Sequence, residues 1–292
     1  MAREFLVRDM SAIGLKLPAR LTKSRHVLPG FRLSIGFTIF YLTSIVLVPL
    51  LALVIRPMEL GPLGFWSAIA TPRVLASLRL SFGMAFAAAI IDSFFGLIIA
   101  WVLTRYRFPG KGLLDAVIDL PFALPTAVAG IALSSLYAPN GWIGSLLIEH
   151  GIRIAYTPWG VLVAMVFISL PFTVRTVQPV LAELGQDVEE VAGTLGATRL
   201  QTIARIVLPM LLPAILTGAA MAFARAAGEY GSIIFLAGNI PAVSEIAPLL
   251  IVVKLEQFDY AGAAAIGVVM LVASFVMLLA LNALQGWAAR RR

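Results

Sequence analysis

The sequence predicts an all-α, polytopic membrane protein with six transmembrane helices, and three observations carry that prediction. The 292 residues are 60% hydrophobic and only 13% charged, with a mean hydropathy of +0.96, outside the range of soluble globular chains. Six apolar stretches reach the roughly 20 residues a helix needs to cross a bilayer. The Lys and Arg residues beside those stretches are shared unequally between the two sides.

Residues 1–31 form a polar tail with Arg3, Arg8, Lys16, Arg20, Lys23 and Arg25. It is too long for the basic region of a secretory signal, and no Ala-x-Ala site follows the next apolar run, so residues 33–55 are expected as an uncleaved first span. Whether the tail is an amphipathic surface segment or disordered is open at this point. Five further spans are expected at 77–104, 113–137, 158–179, 208–237 and 262–287, giving one membrane domain over 32–288 and a basic end at 289–292. Arg56, Arg73, Arg79, Arg153 and Lys254 fall on one side and Arg225 inside a span; the remaining Lys and Arg, including Arg105, Arg107, Lys111, Arg175, Arg199 and Arg205, fall on the other. That excess places both termini and the 180–207 segment in the cytoplasm.

Two spans are chemically irregular. The third contains Pro121 and Pro125, which remove helical donors and kink the helix; freed backbone is tolerated inside a bundle or along a watery cavity, so a path-lining role and a packing kink both fit. Asp115 and Asp119 lie near its cytoplasmic end, and Asp92 lies deeper, in the second span, where a hydrogen bond to a neighbouring helix or a transport role would explain it. The fifth span carries Arg225, Gly228, Glu229, Gly231 and Ser232. Arg225 and Glu229 are i, i+4 and share a face; they read either as a polar gate or as a self-neutralising structural pair. The apolar run 247–253 is too short to span and reads as an interfacial or re-entrant helix.

The longest polar interruption in the second half is a hairpin at 181–207. Leu181, Leu184, Val188, Val191 and Leu195 recur at helical spacing, with Glu183, Asp187, Glu189 and Glu190 on the other side. Gly196 stops that helix, and Thr198 with Gln201 reads as a capping box for a second one. Ala192, Gly193 and Gly196 leave the turn nearly bare, so a partner's backbone can approach closely.

Several chemistries are excluded. There is no cysteine, so thiolate metal sites are excluded, and His26 and His150 lie far apart in sequence with no HExxH-like pair. Gly110-Lys111-Gly112 lacks the upstream glycine and the hydroxyl of a phosphate-binding loop, so any ATP is hydrolysed by a partner. The net charge of +7 sits beside the spans and orients a membrane protein rather than marking a nucleic-acid surface. No Ser/His, paired-Asp or metal constellation suits an intramembrane enzyme.

Glu190, Ala192, Gly196, Ile206 and Leu208-Pro209 match the pattern E-A-A-x3-G-x9-I-x-L-P, with Val191 in place of the middle alanine. The chain thus resembles the permeases of ABC importers. Phe223 through Ser232, Phe235 through Asn239, Ser244 through Leu249, Leu255 through Tyr260 and Ala265 through Leu271 narrow the resemblance to the sulfate/thiosulfate permeases of CysT type, over residues 33–288. The resemblance implies the type I importer (MetI-like) fold and a coupling role for Glu190, Ala192, Gly193, Gly196, Ile206, Leu208 and Pro209. It also implies a homologous second permease, a pair of ATP-binding subunits holding the ATP and Mg, and a periplasmic sulfate-binding protein, in a bacterial inner membrane. No cofactor is expected in this chain. Pro121, Pro125, Arg225, Glu229 and Ser232 are the expected pore or gate residues. A molybdate permease shares much of this pattern, and an ion-coupled secondary anion transporter would need none of it.

Overall fold

The computed structural model describes residues 31–290. Residues 1–30, all of the basic tail but Phe31, and Arg291 and Arg292 lie outside the described residues. The chain divides after Leu51 into two compact units. The first holds α1 (Phe31–Leu42), a π-helical turn (Thr43–Leu47) and the opening of α2 (Val48–Ile55). Its described side chains are all exposed, as expected of a helix that is apolar all round and meets lipid.

The second unit is built on three long helices: α4 (Pro72–Arg105), α9 (Pro158–Glu183) and α12 (Leu208–Ala227), preceded by α3 (Gly61–Ile69). Thr71 opens α4 by accepting the Val74 N–H, Pro72 needs no donor there, and Arg105 sits in its last turn. Lipid gives no hydrophobic drive for helices to associate, so small residues at the contacts let dispersion do it. Ala85, Ala88, Ala100, Ala222 and Ala226 are fully buried. Thr173 of α9 sits between two glycines: a Cβ on either Gly96 of α4 or Gly218 of α12 would come within 2.9 Å of it. The buried Ser169 on the same helix touches Asp92 of α4 at 2.5 Å, the neighbour-helix hydrogen bond expected for that aspartate.

Among the described residues, five helices are long and apolar enough to cross a membrane; a sixth span results if α7 (Thr126–Tyr137) and α8 (Trp142–Glu149), bent by 43°, count as one. The irregular spans are more broken than expected. The third is not a kinked helix over 113–137 but α5 (Lys111–Ile118), α6 (Leu120–Ala123) and α7, with Leu124 and Pro125 extended between the last two. Proline at 125 disfavours the helical conformation at Leu124, and the chain leaves the helix there. The fifth span stops at Ala227 and resumes as α13 (Gly231–Leu236). The run from 247 becomes α14 (Ala247–Glu256); it does not lie on a surface, because Ala247 and Leu250 are buried with Val74 and Ile266 between α4 and α15 (Tyr260–Arg290).

The candidate coupling hairpin and the broken helices

The hairpin departs from a single helix through Leu195. α9 ends at Glu183, Gly185 takes a left-handed φ of +64°, and a separate α10 (Asp187–Thr194) follows. The predicted apolar stripe is therefore split: Leu181 is fully buried in the bundle, whereas Val191 and Leu195 are 58% and 83% exposed. Gly196, with φ of +84°, closes α10 in a Schellman arrangement: Ala197 N–H donates to Ala192 C=O and Gly196 N–H to Gly193 C=O. The predicted capping box then starts α11 (Arg199–Thr202), with Thr198 and Gln201 each bonding the other's backbone. Leu200 on that helix is 77% exposed.

The seven expected coupling residues divide by environment. Glu190, Gly193 and Gly196 are exposed, and a Cβ on either glycine would meet nothing within 4 Å. Ala192 is buried, so it does not leave the turn bare as expected, and its carbonyl accepts the Ala197 N–H. Ile206 lies in a π-helical turn (Ile203–Val207) that runs directly into α12, whose first two residues are Leu208 and Pro209.

Sequence reasoning missed Arg105. From the end of α4 its guanidinium donates to Glu189 at 2.8 Å and to the Gly185 carbonyl at 2.8 Å, and it stands 5.6 Å over the Trp101 ring. This clamp fastens the first turn of α10 to the bundle; a partner 84 positions away leaves no trace in local spacing. Arg175 was missed likewise: it bonds Asp115 at 2.7 Å and Asp119 at 2.6 Å, tying α9 to α5. Those two aspartates are ion-paired while their side chains stay partly exposed.

The second cluster forms where the two broken spans meet. Glu229, buried between α12 and α13, receives Arg225 Nη1 at 2.7 Å, Ser232 N–H at 2.9 Å and Ser232 Oγ at 2.8 Å. The Arg225–Glu229 pair is as expected, and the adjoining Gly228 ends the helix, so the glutamate also caps α13. Gly231 faces Thr126, at the start of α7, so closely that a Cβ would overlap its hydroxyl. Gly130 is equally tight, 2.6 Å from the Ser232 carbonyl for an added Cβ. The break after Pro125 and the break at Glu229 are thus one neighbourhood, held backbone to backbone. Pro121 stands apart, in α6, beside Phe122, whose ring meets Phe172 of α9 edge-on at 5.0 Å.

Residues 92–292 match the family described as binding-protein-dependent transport system inner membrane component. The chain belongs to that family. It is a multi-pass inner-membrane permease of the ABC-importer class. It is 50% identical over 268 residues to the sulfate transport system permease protein CysT of Salmonella typhimurium, covering 92% of this chain and 97% of that one. The CysT protein of Synechococcus elongatus is 52% identical over 255 residues, 87% of this permease and 91% of the relative. Among solved structures, a bacterial alginate ABC transporter in complex with its alginate-bound periplasmic protein superposes with a TM-score of 0.71 at 17% identity, over 86% of this permease and 92% of that chain. The MetNI methionine transporter in inward-facing form gives 0.52 at 16% identity, over 75% and 99%. The fold is therefore that of the ABC-importer permeases, as the resemblance implied.

Proposed function

We propose that this permease forms half of the membrane pathway of an ATP-driven sulfate/thiosulfate importer and is driven through the 181–207 hairpin by a separate ATPase. The observation that carries the coupling is the outward face of the hairpin: Val191, Leu195 and Leu200 stand exposed beside open space at Gly193 and Gly196. An apolar face of this kind outside the spans is a protein-docking surface. The Lys/Arg asymmetry supports a cytoplasmic position for that face and both termini, on the side where ATP is. ATP and Mg then belong to the paired ATP-binding subunits, and a related second permease supplies the other half of the path.

Force on α10 reaches the bundle by two rigid connections, the short turn to α9 at Gly185 and the Arg105 clamp to α4. Rocking of the bundle would open the path alternately to each side. The Arg225–Glu229–Ser232 cluster, at the meeting of the broken spans, is the gate in this reading; its neutralised glutamate does not repel an anion. Sulfate as cargo rests on the relatives' names and on the matched segments, and a periplasmic sulfate-binding protein would deliver it. Those relatives lend no support to molybdate.

The test is ATPase activity of the assembled complex in proteoliposomes, with the binding protein loaded with sulfate or with molybdate. Stimulation by the sulfate-loaded form alone is expected. Stimulation by the molybdate-loaded form would keep the coupling and overturn the cargo, and stimulation by neither would overturn the substrate class.

A further inference from the structure

At the end of α4 remote from the hairpin, a cavity of about 370 Å³ is lined by Arg79, Gly83, Pro158, Ala242, Val243 and Glu245. We propose that Arg79 and this cavity form a reception site for a tetrahedral oxyanion, the sulfate in transit, at the mouth of the permease opposite the coupling hairpin. The ligand's identity rests on the sulfate reading above; the site itself rests on the local charge balance.

Glu245 is the one carboxylate among those residues, and it is not available to Arg79. Arg73, two helical turns away, takes both of its oxygens, at 2.7 and 2.6 Å, and the Glu245 side chain is 1% exposed. Among the described residues Arg79 has no hydrogen-bond or ion-pair partner. The wall therefore carries one uncompensated positive charge. Arg79 lies near the outer end of an exposed stripe of α4 that runs from Leu75 through Gly83, Phe86 and Ile90. A guanidinium this close to the helix end reaches interfacial water, so it stays charged and open to an anion.

The opposite wall is fixed in place. The Ile240 carbonyl accepts the N–H groups of Val243, Ser244 and Glu245, Ser244 Oγ donates to the Ala237 carbonyl at 2.7 Å, and Ala247 N–H reaches Ser81 Oγ of α4 at 2.8 Å. Ala242, a non-glycine residue at φ +61°, lines the cavity within this loop; such strain persists where the surroundings over-determine it, which is common at ligand sites. A guanidinium offers several N–H donors in a plane, suited to two oxygens of one oxyanion. Next to Gly83, where an added Cβ would meet nothing within 4 Å, it has room to do so.

The same chemistry suits a phospholipid phosphate or a carboxylate on the docking protein, and the experiment separates them. Uptake of labelled sulfate into proteoliposomes is measured against the concentration of loaded binding protein for wild type, Arg79→Gln, Arg79→Lys and Gly83→Phe, with folded yield checked for each. Arg79→Gln is expected to lower the maximal uptake about tenfold, the loss of one charge-assisted contact, with the half-saturating binding-protein concentration unchanged. Lysine should restore most of the uptake, and Gly83→Phe should lower it by filling the cavity without altering charge. Arg153→Gln, which removes the same charge from a neighbouring cavity at this end, should leave uptake intact; an equal loss there would reduce Arg79 to a contributor of general field and overturn the site. Wild-type uptake by Arg79→Gln overturns it outright. A shift only in half-saturation would assign Arg79 to the docking protein, and loss of a co-purifying phospholipid with normal uptake would assign it to lipid. Absence of sulfate uptake by the wild-type complex would instead overturn the cargo reading.

Discussion

The glycines of the hairpin and the glycines of the broken spans are used in opposite ways. At Gly130 and Gly231 the space a side chain would need is already filled by backbone or by Thr126, so the absence of a Cβ lets one half-helix lie on another. At Gly193 and Gly196 the same space is empty. The first pair is explained by close packing; Gly196 is explained by the left-handed φ of +84° that closes α10, and Gly193 alone has neither a tight contact nor a positive φ to account for it. The apolar residues follow the same division, buried as Leu181 enters the bundle and exposed at Val191 and Leu195.

The largest effect on stability is expected at the filled glycines. Gly130→Val forces its branched side chain into the Ser232 backbone 2.6 Å away and should cost about 3 kcal/mol, the range for overpacking a rigid contact. Thermal unfolding of the purified permease followed by size exclusion would measure it. A wild-type midpoint would mean that α7 and α13 are not held together as described.

Next is the polar centre beside those glycines. Arg225→Ala strands Glu229, which is 2% exposed in its side chain, and removing one partner of a buried pair costs more than the pair contributes. Arg225 is itself 30% exposed, which reduces the loss to about 2 kcal/mol. The double variant Arg225→Ala/Glu229→Gln should recover much of it, because glutamine still accepts from Ser232. If the double variant is no more stable than Arg225→Ala, burial of an uncompensated charge is not the cause.

At the empty glycines stability and function should separate. Gly196→Glu places a side chain at φ +84° for about 1 kcal/mol, and the bundle should still fold and insert. If the ATPase docks on this face as proposed, uptake and co-purification of the ATPase should nevertheless be lost. Normal transport by a well-expressed Gly196→Glu protein would sink the coupling assignment.

How much of this was legible follows the range of each interaction. The spans, the stop at Gly196, the Thr198–Gln201 box and the Arg225–Glu229 pair all depend on residues within a helical turn or on composition, and spacing reveals them. Gly185 went unread because an i, i+3, i+4 pattern continues smoothly from Leu181 across it, although the glycine alone turns the chain. Arg73–Glu245, Arg105–Glu189 and Arg175 with Asp115 and Asp119 join elements far apart in sequence. No periodicity encodes them, so the arginines were read only as topology markers. Tertiary proximity also merged the Pro125 and Glu229 breaks, which in sequence are two separate irregularities.

The segment Glu256 to Tyr260, which helped to distinguish the sulfate branch in the sequence, shows why such signatures need not touch cargo. It is the turn between α14 and α15: Phe258 adopts φ +62°, and Asp259 caps α15 by accepting the Gly262 N–H at 2.9 Å while its other oxygen meets Lys254 Nζ at 2.8 Å. Lys254 first, and the Gly262 amide second, hold the Asp259 carboxyl below its ordinary value. A depressed carboxylate contributes stability that is fully present above the unfolded value, near pH 4, and is lost as pH falls through the lower folded value. Because the pair is partly exposed, with side chains 30% and 39% accessible, the contribution is small, about 0.5 kcal/mol. Asp259→Asn should keep most of the cap and remove this acid-dependent component, flattening the decline in unfolding temperature below pH 4 while leaving the midpoint at pH 7 nearly unchanged. An unaltered acid profile in Asp259→Asn would show that the turn is held by its backbone alone.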